Sequence, residues 1–140
     1  VVFAGTLNDN MEIAAITGSY ASVLGGAPAA AVVFAGEVND RTAKDERVTD
    51  LETRIKQAVT DGDEATAARL RGDLATLRPD VRSEKLGQVA DEFDTKHSIE
   101  RAQSVGSVHR IVSPDQLRPY LADAVQRGMK RTLDTLGGNA

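Results

Sequence analysis

The sequence predicts an α/β protein in which an antiparallel helical hairpin is inserted between strand-forming segments. Short apolar runs broken by turn residues fill the first 36 residues, which are rich in Gly and Ala. Dense charge at helical spacing follows from Glu37 to Ser104. An alternating segment and a clear helix start then lie near the C-terminus. The predicted order is strand, strand, helix, hairpin, helices, strand, helix.

The N-terminal part predicts two strands and a buried helix. Residues 13–16 and 21–24 are apolar runs separated by Thr17-Gly18-Ser19, which favours buried strands joined by a turn. Gly25-Gly26 ends the second run, and Pro28 lies where proline fits the first turn of a helix. We therefore expect residues 29–34 to continue as a buried helix.

Two amphipathic stripes predict the hairpin, at about residues 42–78. Their members are Val48, Leu51, Ile55 and Val59, followed by Leu70, Leu74 and Leu77. Each set falls on one side of a helix. Between them, Gly62 suits a left-handed helix end and Asp63 suits the cap of the next helix. The second helix is expected to end before Pro79.

The C-terminal part predicts two further helices, a strand and a last helix. A third helical stretch after Val81 and a short helix near Ile99 precede an alternating segment at residues 107–112, which favours a strand. Ser113, Pro114 and Gln116 have the spacing of a capping box with proline at the first helical position. The last helix carries Leu117, Leu121, Val125 and Met129 and is expected to end near Gly137-Gly138.

Composition restricts the function classes. The net charge of -4, from 21 acidic and 17 basic residues, opposes binding to a phosphate backbone, so no nucleic-acid partner is expected. The chain has no cysteine, which excludes disulfides and thiolate chemistry. No apolar run approaches the roughly 20 residues of a membrane span, and a cytoplasmic location without membrane contact is expected. The apolar start Val1-Val2-Phe3-Ala4 predicts a piece of a longer protein.

Two histidines are the candidates for acid–base or metal chemistry. His97 lies three residues from both Asp94 and Glu100, so a continuous helix would place the three on one side. The alternative is a polar histidine that orders a helix start, and this alternative is favoured. His109 alternates with Val108 along the predicted strand and is expected to be exposed.

Two glycine-containing turns are further candidates for functional motifs. Thr17-Gly18-Ser19-Tyr20 lacks the second glycine of a nucleophile elbow and is rejected. Gly25-Gly26 before a helix is compatible with backbone donors for an anion, but also with close packing of the helix on the sheet. The residues alone therefore assign no catalytic group, no cofactor-binding residue and no metal ligand.

Three segments in order resemble the carboxyltransferase family of acetyl-CoA and propionyl-CoA carboxylases. The first is residues 19–34, with Gly25-Gly26 leading into an Ala-rich helix. The second is residues 88–97, which resemble the family's segment containing Phe-Ala-Asp-x-His-Asp. The third is residues 101–118, in which a helix ending in glycine feeds a strand and a last helix. The charged hairpin also matches a helical excursion of the family.

The resemblance implies a partial crotonase-like fold of ββα units covering residues 1–140, the C-terminal fragment of a carboxyltransferase domain. It implies a ligase of fatty acid metabolism that moves a carboxyl group from carboxybiotin on a carrier domain to an acyl-CoA. The family's oxyanion donors are backbone N–H groups in a turn that would precede Val1, with Val1-Val2-Phe3 at most lining the pocket. The fragment alone is therefore expected to be inactive.

The resemblance also implies partners. These are the acyl-CoA substrate, the biotin carboxyl carrier and biotin carboxylase domains, the N-terminal half of the carboxyltransferase and further copies in a homo-oligomer. An aromatic-proline pair common in the family is replaced by Ile16-Thr17, so acyl chain length does not carry over. Two alternatives stay open: a non-catalytic helical assembly module, and a biotin-independent crotonase-fold enzyme acting on acyl-CoA.

Overall fold

The computed structural model describes residues 11–137, which form two compact units. One unit joins residues 11–21 to residues 97–137 and is named the split unit. The other comprises residues 22–96 and is named the helical unit. Each unit has its own buried residues and its own secondary structure.

The helical unit contains four α-helices and one π-helical segment. In chain order these are α1 (Gly26–Pro28), the π-helical segment (Ala29–Val33), α2 (Ala35–Ala43), α3 (Glu46–Thr60) and α4 (Glu64–Lys96). The helix expected at residues 29–34 is therefore present, and it has π geometry. Its Ala29 and Ala30 are buried.

The start of α3 and the break after it follow the local sequence. The Asp45 carboxylate accepts a hydrogen bond from the Arg47 N–H and caps α3. After α3, Gly62 has a φ of +76°, the left-handed conformation that glycine adopts at little cost. Asp63 then accepts from the Thr66 N–H, at 3.0 Å, as a cap of α4.

Helices α3 and α4 run antiparallel. Arg47 near the start of α3 binds Glu84 at 2.6 Å, whereas Glu52, further along α3, binds Arg78 at 2.5 Å. The ion-pair partner that lies later in α3 therefore binds a residue that lies earlier in α4. Val48, Leu70 and Val81 are fully or almost fully buried in this unit. The second helix of the hairpin, α4, is longer than expected, because it continues to Lys96.

Pro79 does not end the second helix of the hairpin, contrary to the expectation from the sequence. Proline lacks an N–H and clashes with the carbonyl of the preceding turn, and both effects disfavour a helix interior. Pro79 nevertheless lies inside the 33-residue α4. Val81, Val89 and Ala90 beyond it are buried. Packing of the residues after the proline outweighs the lost hydrogen bond.

The predicted α/β, crotonase-like fold class is wrong, because the described residues are mostly helical and hold a single two-stranded sheet. The apolar run at residues 21–24 forms no strand. Val23 is 99% exposed, and the Leu24 N–H donates to the Ser22 hydroxyl in a local turn. A short apolar run in a sequence does not by itself distinguish a strand from other structure. Residues 21–24 have no neighbouring strand to pair with.

The split unit contains the two strands, β1 (Ala14–Ile16) and β2 (Arg110–Val112). They are parallel, with Ala14 opposite Arg110 and Ile16 opposite Val112. Two helices, α5 (Ile99–Ser104) and α6 (Leu117–Gly137), complete the unit, with a 3₁₀ turn at Pro114–Gln116. Among its described residues, the buried hydrophobic side chains are Ile99, Val108 and Val112.

The capping box expected at Ser113 is not formed. The Ser113 side chain makes no cap hydrogen bond, and the Gln116 N–H instead donates to the Ser113 carbonyl at 3.0 Å. The 3₁₀ turn that results carries Pro114 in its first turn and leads directly into α6. Gly138 lies outside the described residues. None of the helices between residues 11 and 137 is both long enough and apolar enough to span a membrane.

Candidate functional site

The junction at Gly25-Gly26 places Gly26 directly against α4. A Cβ at Gly26 would overlap the Ala90 carbonyl oxygen and lie 2.7 Å from an Asp94 carboxylate oxygen. Gly26 also donates its N–H to that carboxylate, at 2.8 Å. Gly26 therefore has a close-packing role, because no other residue type fits the available space, but it packs against helix α4 and not against a sheet as the sequence suggested.

This geometry removes Gly26 as an anion donor. An anion at a helix N-terminus needs unpaired N–H groups, and the Gly26 N–H is already bound to a negatively charged side chain of the same unit. A second anion would also be repelled by Asp94. The Gly26 junction is therefore a structural contact between two segments 68 residues apart.

The surroundings of Gly26 extend this contact into a small core. Ala30, Val38, Val89 and Ala90 form one buried cluster, with partly buried neighbours at its edge. One of these, Phe34, approaches the Phe93 ring with 6.0 Å between centroids. Segments 19–34 and 88–97 therefore meet through backbone, apolar and aromatic contacts.

The grouping of Asp94, His97 and Glu100 on one continuous helix is wrong. Helix α4 ends at Lys96, and α5 begins at Ile99 with Ser98 as its cap. Asp94 is engaged by Gly26, and the His97 carbonyl accepts from the Ala21 N–H at 2.8 Å. Across residues 11–137, no group of three or more histidine, aspartate or glutamate side chains is arranged to hold a metal ion.

His109 is exposed, as expected, and joins the split unit's two chain segments. Its Nδ1 accepts from the Ile13 N–H at 2.9 Å, while its own N–H donates to the Ile13 carbonyl at 2.8 Å. These two hydrogen bonds between Ile13 and His109 lie directly before the parallel pairing of β1 with β2.

The Thr17 and Ser19 hydroxyls of the rejected Thr17–Tyr20 motif are also structural. Thr17 donates to the Val112 carbonyl at 3.2 Å, and Ser19 donates to the Ile16 carbonyl at 2.7 Å. Gly18 has a φ of +85°, which makes the turn between them. A serine that donates to a backbone carbonyl has no base to activate it, so the rejection of this motif agrees with the geometry.

A polar cluster in the split unit was missed by sequence reasoning. Tyr120 donates its hydroxyl to Glu12 at 2.6 Å, and Arg127 contacts both Glu12 oxygens at 2.9 and 3.0 Å. Arg110 lies over the Tyr120 ring at 5.7 Å from its centroid, and Asp123 pairs with Arg127. More than 100 residues separate Glu12 from α6, so no local pattern reveals the cluster.

The electrostatics of this cluster oppose an acid–base role. The Tyr120 hydroxyl and then Arg127 hold the pKa of Glu12 below its usual value. Partial burial, followed by the hydrogen bond to Glu12, raises the pKa of Tyr120. Glu12 is thus a weaker base and Tyr120 a weaker acid than usual, and the cluster serves to hold α6 in place.

Three grooves lie near these contacts. One, of about 600 Å³ in the helical unit, is lined by charged side chains, among them Arg41, Asp45, Arg47 and Lys85. Each of these four is engaged within the unit, Arg41 with Glu37 and Glu92.

The other two grooves lie in the split unit. One, of about 420 Å³, is lined by Arg110, Tyr120 and Asp123 of the polar cluster. The other, of about 380 Å³, is mainly apolar and lies along residues 13–16 and Val108. None of the three grooves presents a group poised for catalysis.

Comparisons with models of protein families, with curated proteins and with solved structures find no match to this chain. The Val1–Phe3 segment, expected to line a substrate pocket, lies outside the described residues. The function must therefore be argued from the contacts described above.

Proposed function

We propose that this chain is the C-terminal portion of a biotin-dependent carboxyltransferase, which transfers a carboxyl group from carboxybiotin to an acyl-CoA. The observation that supports the proposal is the contact of Gly26 with Ala90 and Asp94. It joins two separate segments that carry the family resemblance, residues 19–34 and 88–97. Three of the resembling residues, Gly26, Ala90 and Asp94, therefore make a close tertiary contact.

The third resembling segment also has a defined structural role. Within residues 101–118, the strand Arg110–Val112 pairs with Ala14–Ile16, and Ser113 to Gln116 lead the chain into α6. Each of the three resembling segments therefore contains residues that make a tertiary contact. A resemblance carried only by solvent-exposed charges would give weaker support.

The proposed role of these residues is structural support of a reaction centre built largely by other segments. The family's chemistry depends on backbone N–H donors that stabilise an enolate and the ureido oxygen of biotin. Glu12, a side chain that could act as a base, is engaged in an ion pair with Arg127 and a hydrogen bond from Tyr120. This arrangement suits a segment that positions a catalytic half without supplying the reacting groups.

The test is reverse carboxyl transfer by the longest natural polypeptide that contains this sequence. Malonyl-CoA or methylmalonyl-CoA is the donor and free biotin the acceptor, and carboxybiotin and the decarboxylated acyl-CoA are measured. Transfer in the presence of biotin, abolished by avidin, is expected. The 140-residue chain alone should give none. Absence of transfer from either donor by the longer polypeptide would refute the proposal.

A non-catalytic assembly module is the second candidate, and the exposed apolar side of α6 favours it. Leu121, Val125 and Met129 are each more than half exposed on that helix. Exposed apolar rows of this kind mark contact surfaces. If this candidate is correct, the longer polypeptide performs no transfer, while substitutions on α6 still change its assembly state.

A further inference from the structure

Helix α6 presents one continuous apolar side to solvent. The α6 stripe consists of Leu121, Val125, Met129, Leu133 and Leu136, whose exposed fractions run from 53% to 67%. Steps of four, four, four and three residues keep these side chains on one side of the 21-residue helix. An amphipathic helix in a folded unit normally buries this side, so its exposure requires an explanation.

The opposite side of α6 is fixed to its own unit. Tyr120 and Arg127 both bind the Glu12 carboxylate, and Arg127 also pairs with Asp123. Arg127 lies about 200° around the helix from Val125 and from Met129, given about 100° per residue. The contacts with Glu12 therefore hold the helix in a rotation that keeps the α6 stripe directed outward.

The size of the α6 stripe matches a contact surface. Five large apolar side chains, each more than half exposed, form a patch on the order of several hundred Å². Two such patches facing each other bury about 1,000 Å², roughly the minimum for a specific protein interface. A second copy of this chain carries the same patch, so it supplies the area required.

The chemistry of the stripe suits pairing with itself. No charged residue lies on this side of the helix between Leu121 and Leu136, and Ala122 and Thr132 beside the stripe allow close approach. In an antiparallel pair, Leu121 faces Leu133 of the second copy, and Val125 faces Met129 of the second copy. The arrangement is isologous, as a two-fold axis requires.

The helix dipoles favour the antiparallel arrangement over the parallel one. Antiparallel pairing places the positive N-terminal end of each α6 beside the negative C-terminal end of the other, whereas parallel pairing places like ends together.

We propose that the α6 stripe is the surface through which two copies of this chain associate, as an antiparallel pair of α6 helices. The proposal depends on the geometry of the split unit and not on the proposed carboxyltransferase activity. It can hold for either candidate function.

Sedimentation velocity of the chain over a range of concentrations tests the association. We expect a concentration-dependent dimer for the native sequence. The double variant Val125→Gln with Met129→Gln should weaken it by at least about tenfold in Kd, since it removes apolar contacts at the centre of the pair. The matched control is Lys130→Gln with Asp134→Gln, which also introduces two glutamines into α6, leaves the net charge unchanged and should dimerise as the native chain does. Circular dichroism establishes that both variants keep their helices.

Cross-linking tests the orientation, because the chain has no cysteine of its own. A mixture of the Val125→Cys and Met129→Cys chains should form a mixed disulfide dimer much faster than either chain forms a disulfide alone. A native chain that stays monomeric at all concentrations overturns the proposal, as does equal weakening by the control pair. Rapid self-cross-linking of Val125→Cys alone overturns the antiparallel arrangement.

Discussion

Gly26 shows how a single missing side chain allows two segments to meet. Its backbone lies where a Cβ would overlap the Ala90 carbonyl, and its N–H is bound by Asp94. The sequence identified Gly25-Gly26 as notable and left two explanations open. Only the neighbours of Gly26, 64 and 68 residues away in the chain, decide between them.

Gly26→Ala should lower the free energy of unfolding by about 1–3 kcal/mol, the usual cost of overpacking. The matched control is Gly72→Ala within α4, where a Cβ meets nothing within 4 Å. There alanine should raise the free energy of unfolding by up to about 1 kcal/mol, since glycine is the weaker helix former. Urea denaturation of the two variants measures both effects. Shifts of the same sign would contradict the packing interpretation.

Asp45 both caps helix α3 and takes part in a network of ion pairs. Hydrogen bonds from Arg47 and then from Lys85 hold the pKa of the Asp45 carboxyl well below its usual value. The ionised form is therefore favoured in the folded chain. The resulting stabilisation is complete above the ordinary aspartate pKa of about 4 and is lost as the pH falls towards the lower folded value.

Asp45→Asn should remove this contribution while keeping a good cap residue, since asparagine also caps helices. The variant should be less stable than the native chain at pH 7, and the difference should shrink as the pH falls below about 4. Denaturant unfolding at pH 7 and at successively lower pH measures it. A difference that stays constant or grows on acidification would show that the ionised carboxylate is not the stabilising group.

At the scale of elements, α4 is a long helix that tolerates an unfavourable residue. Pro79 is exposed and lies inside it. The buried residues on either side, such as Leu70 and Val81, hold both halves of the helix in the unit. The low helix propensity of proline predicted that the helix would end before Pro79. Tertiary packing instead keeps α4 continuous to Lys96.

Pro79→Ala should therefore stabilise the chain, by up to about 3 kcal/mol, because alanine restores a backbone donor and removes a clash. Pro114→Ala provides the comparison, since Pro114 lies in the first turn of a 3₁₀ segment where proline is compatible with the backbone. That change should be neutral or slightly destabilising. The midpoints of urea unfolding separate the two variants, and a destabilised Pro79→Ala chain would contradict this account of α4.

At the scale of the whole molecule, the two units differ in their buried cores. Among the described residues, the helical unit buries more apolar side chains, including Val38, Val48, Leu70 and Val81, whereas the split unit buries Ile99, Val108 and Val112. Less buried apolar surface means a lower free energy of local opening. The split unit is therefore expected to open first.

Hydrogen exchange followed by mass spectrometry should show this difference. Peptides from α3 and α4 should exchange far more slowly than peptides from β1, β2 and α5. If the proposed α6 pairing occurs, α6 should gain protection as the protein concentration rises. Uniform exchange across both units would indicate a single cooperative structure instead.

The sequence predicted local elements better than their arrangement. The helix from the α3 stripe, the left-handed Gly62 and the Asp63 cap are local signals, and each has its structural counterpart. The last member of the stripe, Val59, is nevertheless exposed, and Ala58 is buried beside it. The fold class was wrong because residues 21–24 have no strand to pair with and because α4 continues past Pro79. The Glu12 cluster was not predictable, since it depends on residues more than 100 positions apart.

The split unit has a consequence for the order in which the chain folds. Ala21 and His97 are joined by a hydrogen bond of 2.8 Å, yet the whole helical unit, residues 22–96, lies between them along the chain. Closing a flexible loop of that length costs a length-dependent entropy of about 4 kcal/mol. Local contacts form faster than distant ones. The helices of residues 22–96 should therefore form before β1 meets β2. The parallel strand pair, although β1 is the first described element of the chain, should be among the last structures to appear.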